Sequence, residues 1–158
     1  MDELISQLGY ARSISGHTDV ALLIKNIQQD LFRVAAAIGT PPDAREQAPE
    51  ITREMVQGLE EQIGRIEAIP GIPGDWSIPG ESASSAALDV GRTVCRRAER
   101  VAVKVSESGG LPPGSALAYL NRLSDLLWLL GRLVEHRQGA DASLRSKDQA
   151  GKRWSRAW

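Results

Sequence analysis

Residues 92–100 read Arg92-Thr93-Val94-Cys95-Arg96-Arg97-Ala98-Glu99-Arg100, with four arginines in nine residues. A guanidinium presents a planar fork of donors that matches phosphate oxygens, so such a cluster can hold a polyphosphate. Arg92, Arg96 and the Glu99/Arg100 pair follow at steps of four and of three or four, which places them on one face of a helix. The same spacing also makes a solvated, salt-bridged face, and periodicity alone does not choose between the two. A second constellation is Asn121-Arg122-Leu123-Ser124-Asp125. Asn121 and Asp125 lie one helical turn apart, where they can bond a nucleotide sugar or position a ligand. They can equally form interhelical hydrogen bonds that fix the packing.

Other residues carry weaker signals. Asp2 and Glu3 open a helix, where the helix dipole favours acidic side chains whatever else they do. Trp76 sits in a Pro/Gly loop and either plugs the end of the fold or covers a ligand. Cys95 reads as a small buried filler, because no His or Asp is placed to activate it. With one cysteine and two distant histidines, His17 and His136, no zinc site is expected. Glycine-rich phosphate loops are absent, and so are the paired Glu-x-x-His motifs of di-iron bundles.

The elements that must position these residues are written in the hydrophobic spacing. Val20, Ile24, Ile27, Leu31, Val34 and Ile38 recur at steps of three and four. Ala87, Gly91, Val94, Ala98, Val101 and Val105 repeat the rhythm with smaller side chains, which predicts a closely packed helix. Ala116, Leu120, Leu123, Leu127, Leu130 and Val134 repeat it again, and Val56, Leu59, Ile63 and Ile66 more briefly. Each series makes an apolar stripe that only other helices can cover. The punctuation agrees. Gly16 closes a first helix of about residues 2–14, and Gly39 with Pro41 and Pro42 stops the second. Thr52 starts the third, residues 70–81 form a Pro/Gly loop, and Ser82 caps the fourth. Gly109 and Gly110 end the fourth, and Pro112 and Pro113 preset the fifth. The expected fold is all-α, a five-helix up-and-down bundle over residues 1–138. Residues 139–158 are expected to be a basic, mobile tail, or a segment that docks through Trp154 and Trp158.

A chain of 158 residues is one domain, able to bury a core without disulfides or metals. Its formal charge of -1 gives no argument for nucleic acid or an anionic membrane. No apolar run reaches bilayer-spanning length and the acidic start is no signal peptide, so the cytoplasm is the expected compartment.

Taken together, RTVCRRAER at 92–100 and YLNRLSD at 119–125 resemble the signature of the ATP:cob(I)alamin (corrinoid) adenosyltransferases of the trimeric, helical-bundle type. IQQDLF at 27–32, WSIPG at 76–80 and Asp2-Glu3-Leu4 resemble further segments of that family, and the likeness covers about residues 1–137. The resemblance implies a homotrimer with active sites between subunits. It implies ATP with Mg²⁺ and cobalamin as substrates, and adenosylcobalamin and triphosphate as products. It implies that Arg92 pairs with Asp2 of the partner subunit, and that Arg96 binds the polyphosphate. Arg97, Glu99, Arg100 and Asn121 would complete the ATP pocket, and Asp125 would support the corrinoid side. Arg92, Arg96, Asp2 and Asp125 would form the catalytic set. Trp76 would take the place of a Phe that covers the lower face of the corrin. The chain departs from the family in that Trp, in Asp89 where a His is frequent, and in Glu81 where a Gly is frequent. The family's N-terminal Thr-Gly-Asp-x-Gly segment, which cradles triphosphate, is expected to be missing. Hand-over of the product to an adenosylcobalamin-dependent enzyme is a further implication. Two other readings stand beside the enzyme: a corrinoid-binding homologue or carrier without ATP turnover, and a structural helical oligomer.

Overall fold

The computed structural model describes residues 1–41, 43–72, 77–109 and 115–144. These contain five helices: α1 (Asp2–Ser13), α2 (Thr18–Gly39), α3 (Arg53–Glu67), α4 (Ala83–Glu107) and α5 (Ser115–Gln138). The bundle is the five-helix fold that the periodicities require. Helix α5 packs on α4 and α3, and α1 packs on α4 and α2. None of the described helices is long and apolar enough to cross a membrane.

The turns follow the chemistry of their residues. Gly16 and Gly109 adopt positive φ, 67° and 80°, just beyond the ends of α1 and α4. Ser82 caps α4, its hydroxyl accepting from the Ser85 N–H at 3.2 Å. Thr52 holds the same position on α3 without a capping bond; its hydroxyl bonds the Glu54 carboxylate instead.

Two stripes differ from their sequence reading. In α4 the buried face runs through Ala87, Gly91, Val94, Cys95 and Ala102, while Val101 is exposed. Consecutive residues are about 100° apart round a helix, so burying Ala102 turns Val101 out. In α5 every residue from Leu123 to Glu135 is buried, not one face. The run Leu126-Leu127-Trp128-Leu129-Leu130 is apolar all round, so the helix must be enclosed on all sides. Helix α5 is therefore the central element of the bundle.

Small residues allow close approach where α1 crosses α4. A Cβ at Gly91 would lie 3.0 Å from Leu8 Cδ2, tighter than ordinary contact. Polar ties hold the crossings: Gln7 Nε2 donates to Ala87 O at 3.2 Å, and Gln28 Nε2 to Ile5 O at 2.9 Å. Between α2 and α5, buried Tyr119 donates its hydroxyl to Asp30 Oδ2 at 3.0 Å. Arg137, in the last turn of α5, grips Asp19 in the first turn of α2 through two bonds of 2.9 and 2.7 Å. That fork holds the Asp19 carboxyl down at about 2. Asp19 is largely exposed, so the pair contributes at most about 1 kcal/mol. Past α5 the chain turns back along the bundle end, where Ala142 is buried and its carbonyl accepts from Ile78 N–H at 2.7 Å.

Candidate active site

Helix α4 separates the four arginines by angle. Arg92 and Arg96 lie one turn apart on the side facing α5, and Glu99 lies there with them. Arg97, one step further round, faces α1 and forms an ion pair with Glu3. Arg100 is exposed. The structure thus brings Arg92, Arg96, Glu99, Asn121 and Asp125 to one region and sets Arg97 on the other flank.

Glu99 is the hinge of that region. Its Oε2 accepts from Arg96 Nη1 at 2.6 Å, and its Oε1 accepts from Asn121 Nδ2 at 2.9 Å, so one carboxylate ties α4 to α5. Both oxygens are engaged, which fixes a guanidinium and an amide relative to each other. The chain of contacts continues along α5. Asn121 Oδ1 accepts from Arg122 Nη2 at 2.8 Å, and Arg122 Nη1 lies 3.3 Å from Asp125 Oδ2. Arg122 was not singled out in the sequence, although it stands inside the YLNRLSD motif. The signal that could have found it is its i,i+3 spacing to Asp125.

The electrostatics follow from depth. Asp125 is buried, and burial pushes its carboxyl above the usual carboxylate range, opposed by Arg122 and Arg96. The Arg96 side chain keeps 44% of its surface exposed, so the guanidinium can still meet a ligand while Glu99 holds one of its nitrogens. Cys95 lies behind this face, bonded to the Leu120 carbonyl at 3.3 Å. Burial, and then the charge of Glu99, push its thiol up to about 12, so it serves as packing and not as a nucleophile.

Arg92 is bonded within its own chain. Its Nε donates to Asp89 Oδ1 at 2.6 Å, and Asp2, on the exposed first turn of α1, is not among its partners in the chain. Trp76 lies outside the described residues. Among the described residues no group of three His, Cys, Asp or Glu is placed to hold a metal ion. Between α1 and α4 a cavity of about 270 Å³ opens, lined by Met1, Leu4, Val94, Ala98 and Val101 with Glu3 and Arg97 at its polar edge.

A second polar group was not foreseen in the sequence. Arg132 and Glu135 on α5 are 1% and 3% exposed and pair at 2.8 Å, with the guanidinium 5.4 Å from the Trp128 ring centre. Opposite charges three residues apart, set into an otherwise apolar helix, were the available signal.

An arginine face braced by a shared carboxylate is suited to polyphosphate, and the likeness to known proteins agrees. Residues 1–134 match the family described as cobalamin adenosyltransferase. The corrinoid adenosyltransferase of Citrobacter freundii is 33% identical over 136 residues, covering 85% of this chain and 77% of that protein. That of Mycobacterium leprae is 36% identical over 141 residues, covering 84% and 73%. Among solved structures, a variant of the PduO-type ATP:corrinoid adenosyltransferase from Lactobacillus reuteri, complexed with cobalamin and ATP, superposes with a TM-score of 0.81. It is 29% identical, and the match covers 91% of this chain and 79% of that one. On the strength of a match spanning all five helices and both motifs, the chain belongs to the cobalamin adenosyltransferase family.

Proposed function

We propose that this chain transfers the 5′-deoxyadenosyl group of ATP to cob(I)alamin, giving adenosylcobalamin and triphosphate. The observation that carries the reading is the Arg96–Glu99–Asn121 tie between α4 and α5, in a chain of this family. In the reaction the electron pair of Co(I) forms a bond to the 5′ carbon. The bond from that carbon to oxygen breaks, and triphosphate leaves with its electron pair. The developing negative charge on the leaving oxygens is what a preoriented guanidinium stabilises.

In this reading Arg96 binds the polyphosphate, with Arg100 adding positive charge around it, while Arg97, paired with Glu3 on the α1 flank, lies away from this group. Mg²⁺ enters with the nucleotide. Glu99 orients Arg96 and Asn121, and Asn121 offers its amide to the nucleotide. Asp125 and Trp76 serve the corrinoid side, and Arg92 meets Asp2 of the partner subunit. The bonds described above support the assignments of Arg96, Glu99 and Asn121; those of Trp76, Arg100, Asp125 and the Arg92–Asp2 contact rest on the family motifs. A corrinoid carrier or a structural oligomer would need no such brace around Arg96. The cytoplasm is the proposed compartment, and an adenosylcobalamin-dependent enzyme the proposed recipient.

The test is turnover. The chain, supplied with ATP, Mg²⁺ and chemically reduced cob(I)alamin, is expected to produce the absorbance change of adenosylcobalamin formation and to release triphosphate. Cobalamin binding without ATP-dependent product would sink the enzyme reading and leave the carrier. Binding of neither ligand would leave the structural oligomer. Static light scattering at micromolar concentration is expected to give the mass of three chains, and a monomeric mass would contradict a site shared between subunits.

A further inference from the structure

Asp89 is a buried carboxylate, 6% exposed, on the face of α4 that carries Arg92 and Arg96. A lone buried carboxylate is costly unless hydrogen-bonded and paired, and a hydrophobic residue in its place is often neutral or better for stability. The position is nonetheless charged, and its strongest contact goes outward, from Oδ1 to Arg92 Nε at 2.6 Å. Among the described residues, Arg92 is held by that inner nitrogen alone. Among the described residues neither of its terminal nitrogens has an acceptor, and 29% of the side chain remains exposed. Behind Asp89 lies the enclosed Arg132–Glu135 pair. The charge of Asp89 favours the Arg132 cation, while that of Arg92 opposes it. Glu135, Arg132, Asp89 and Arg92 therefore form a series of alternating charge that runs from the buried axis of α5 out to the edge of the arginine face. Ser85 is bonded to Glu135 and braces its inner end.

We propose that Asp89 is a positioning residue for the transfer reaction, holding Arg92 by Nε so that its two terminal nitrogens are presented to an acceptor outside the chain. The inference rests on the reading of Arg92 as a site residue. A partly exposed arginine has several rotatable bonds. Fixing its inner nitrogen to a buried, itself immobile carboxylate removes most of that freedom before the acceptor arrives. Asp89 touches neither nucleotide nor corrinoid; it acts through Arg92.

A double-mutant cycle in the assembled protein separates this role from a structural one. Asp89→Ala is expected to lower kcat on the order of 10- to 100-fold with little change in the KM for ATP, the loss typical of a misplaced site group. Asp89→Asn keeps an oxygen of the same reach for Arg92 Nε and is expected to recover part of the loss. It also carries the test if the alanine variant fails to fold. In an Arg92→Ala background, Asp89→Ala is expected to cost less than about two-fold more, because its intermediary is gone. Equal losses in both backgrounds, or a lowered Tm with unchanged kcat, would overturn the inference. Arg92→Ala turning over at the parent rate would instead remove Arg92 from the site, and this inference with it.

Discussion

Arg96→Ala is expected to lower kcat by about 10²- to 10³-fold, the usual effect of removing one preorganised donor from a developing negative charge. Far-UV circular dichroism is expected to stay unchanged. The argument for an intact fold comes from exposure. The Arg96 side chain is nearly half exposed and fills no core space, so its truncation leaves no cavity. Glu99 loses its 2.6 Å partner but keeps its bond to Asn121. The argument for a large kinetic effect comes from timing. Negative charge accumulates on the leaving triphosphate oxygens only as the bond to the 5′ carbon breaks, so the guanidinium helps the transition state more than the bound substrate. The loss therefore falls on kcat more than on the KM for ATP. Arg96→Lys keeps the charge but loses the planar fork that lets Glu99 and a phosphate be held together, and is expected to fall between alanine and the parent. Steady-state rates at saturating cob(I)alamin, with ATP varied, measure all of this. An alanine variant that turns over normally would take Arg96 out of the site and with it the polyphosphate reading of α4.

The residues that the sequence made legible are those whose partners lie within one helical turn or in a contiguous motif. The stripe from Val20 to Val34 is buried as its spacing requires. The Ser82 cap forms, and the crowding at Gly91 follows from the small residues of α4. Arg92, Arg96 and Glu99 share a face because helix geometry fixes their angles. What periodicity could not supply was which stretch of helix would be enclosed. Step counting puts Val101 in the core, and a rotation of one residue in favour of Ala102 exposes it. Arg97 falls on the α1 side although it is contiguous with Arg96, because adjacent residues point about 100° apart. The Glu99–Asn121 bond joins residues 22 positions apart, and no local rule pairs them. Family resemblance grouped them as one site, and the packing of α4 on α5 gives the bond that joins them. Asp89 shows the reverse case. It is visible in the sequence only as a departure from the family, and its contact with Arg92 gives the departure a physical reading.

Glu135→Ala is expected to cost about 3–5 kcal/mol of folding stability, because it strands a buried charge. Arg132 is 1% exposed, and among the described residues its Nε and Nη1 have no hydrogen-bond partner, so Glu135 holds the one nitrogen that is satisfied. The remaining support is the Trp128 ring at 5.4 Å and the field of Asp89. Burial pushes the guanidinium below its usual range and the Glu135 carboxyl above its own, and in each the charge of the other opposes the shift. Against the roughly 5–15 kcal/mol that holds a typical domain folded, the loss is large and should appear as a marked fall in Tm. Glu135→Gln is expected to cost less, since it keeps an oxygen for Arg132 Nη2 while giving up the charge. Replacing both partners, as Arg132→Met with Glu135→Leu, removes the stranded charge altogether and is expected to return stability to within about 1–2 kcal/mol of the parent. Thermal unfolding of the three variants orders them. A double variant as unstable as Glu135→Ala would mean that the cost lies in lost packing around Trp128 and not in an unpaired guanidinium. A double variant restored in stability but slowed in turnover would tie the buried pair, through Asp89, to the placement of Arg92.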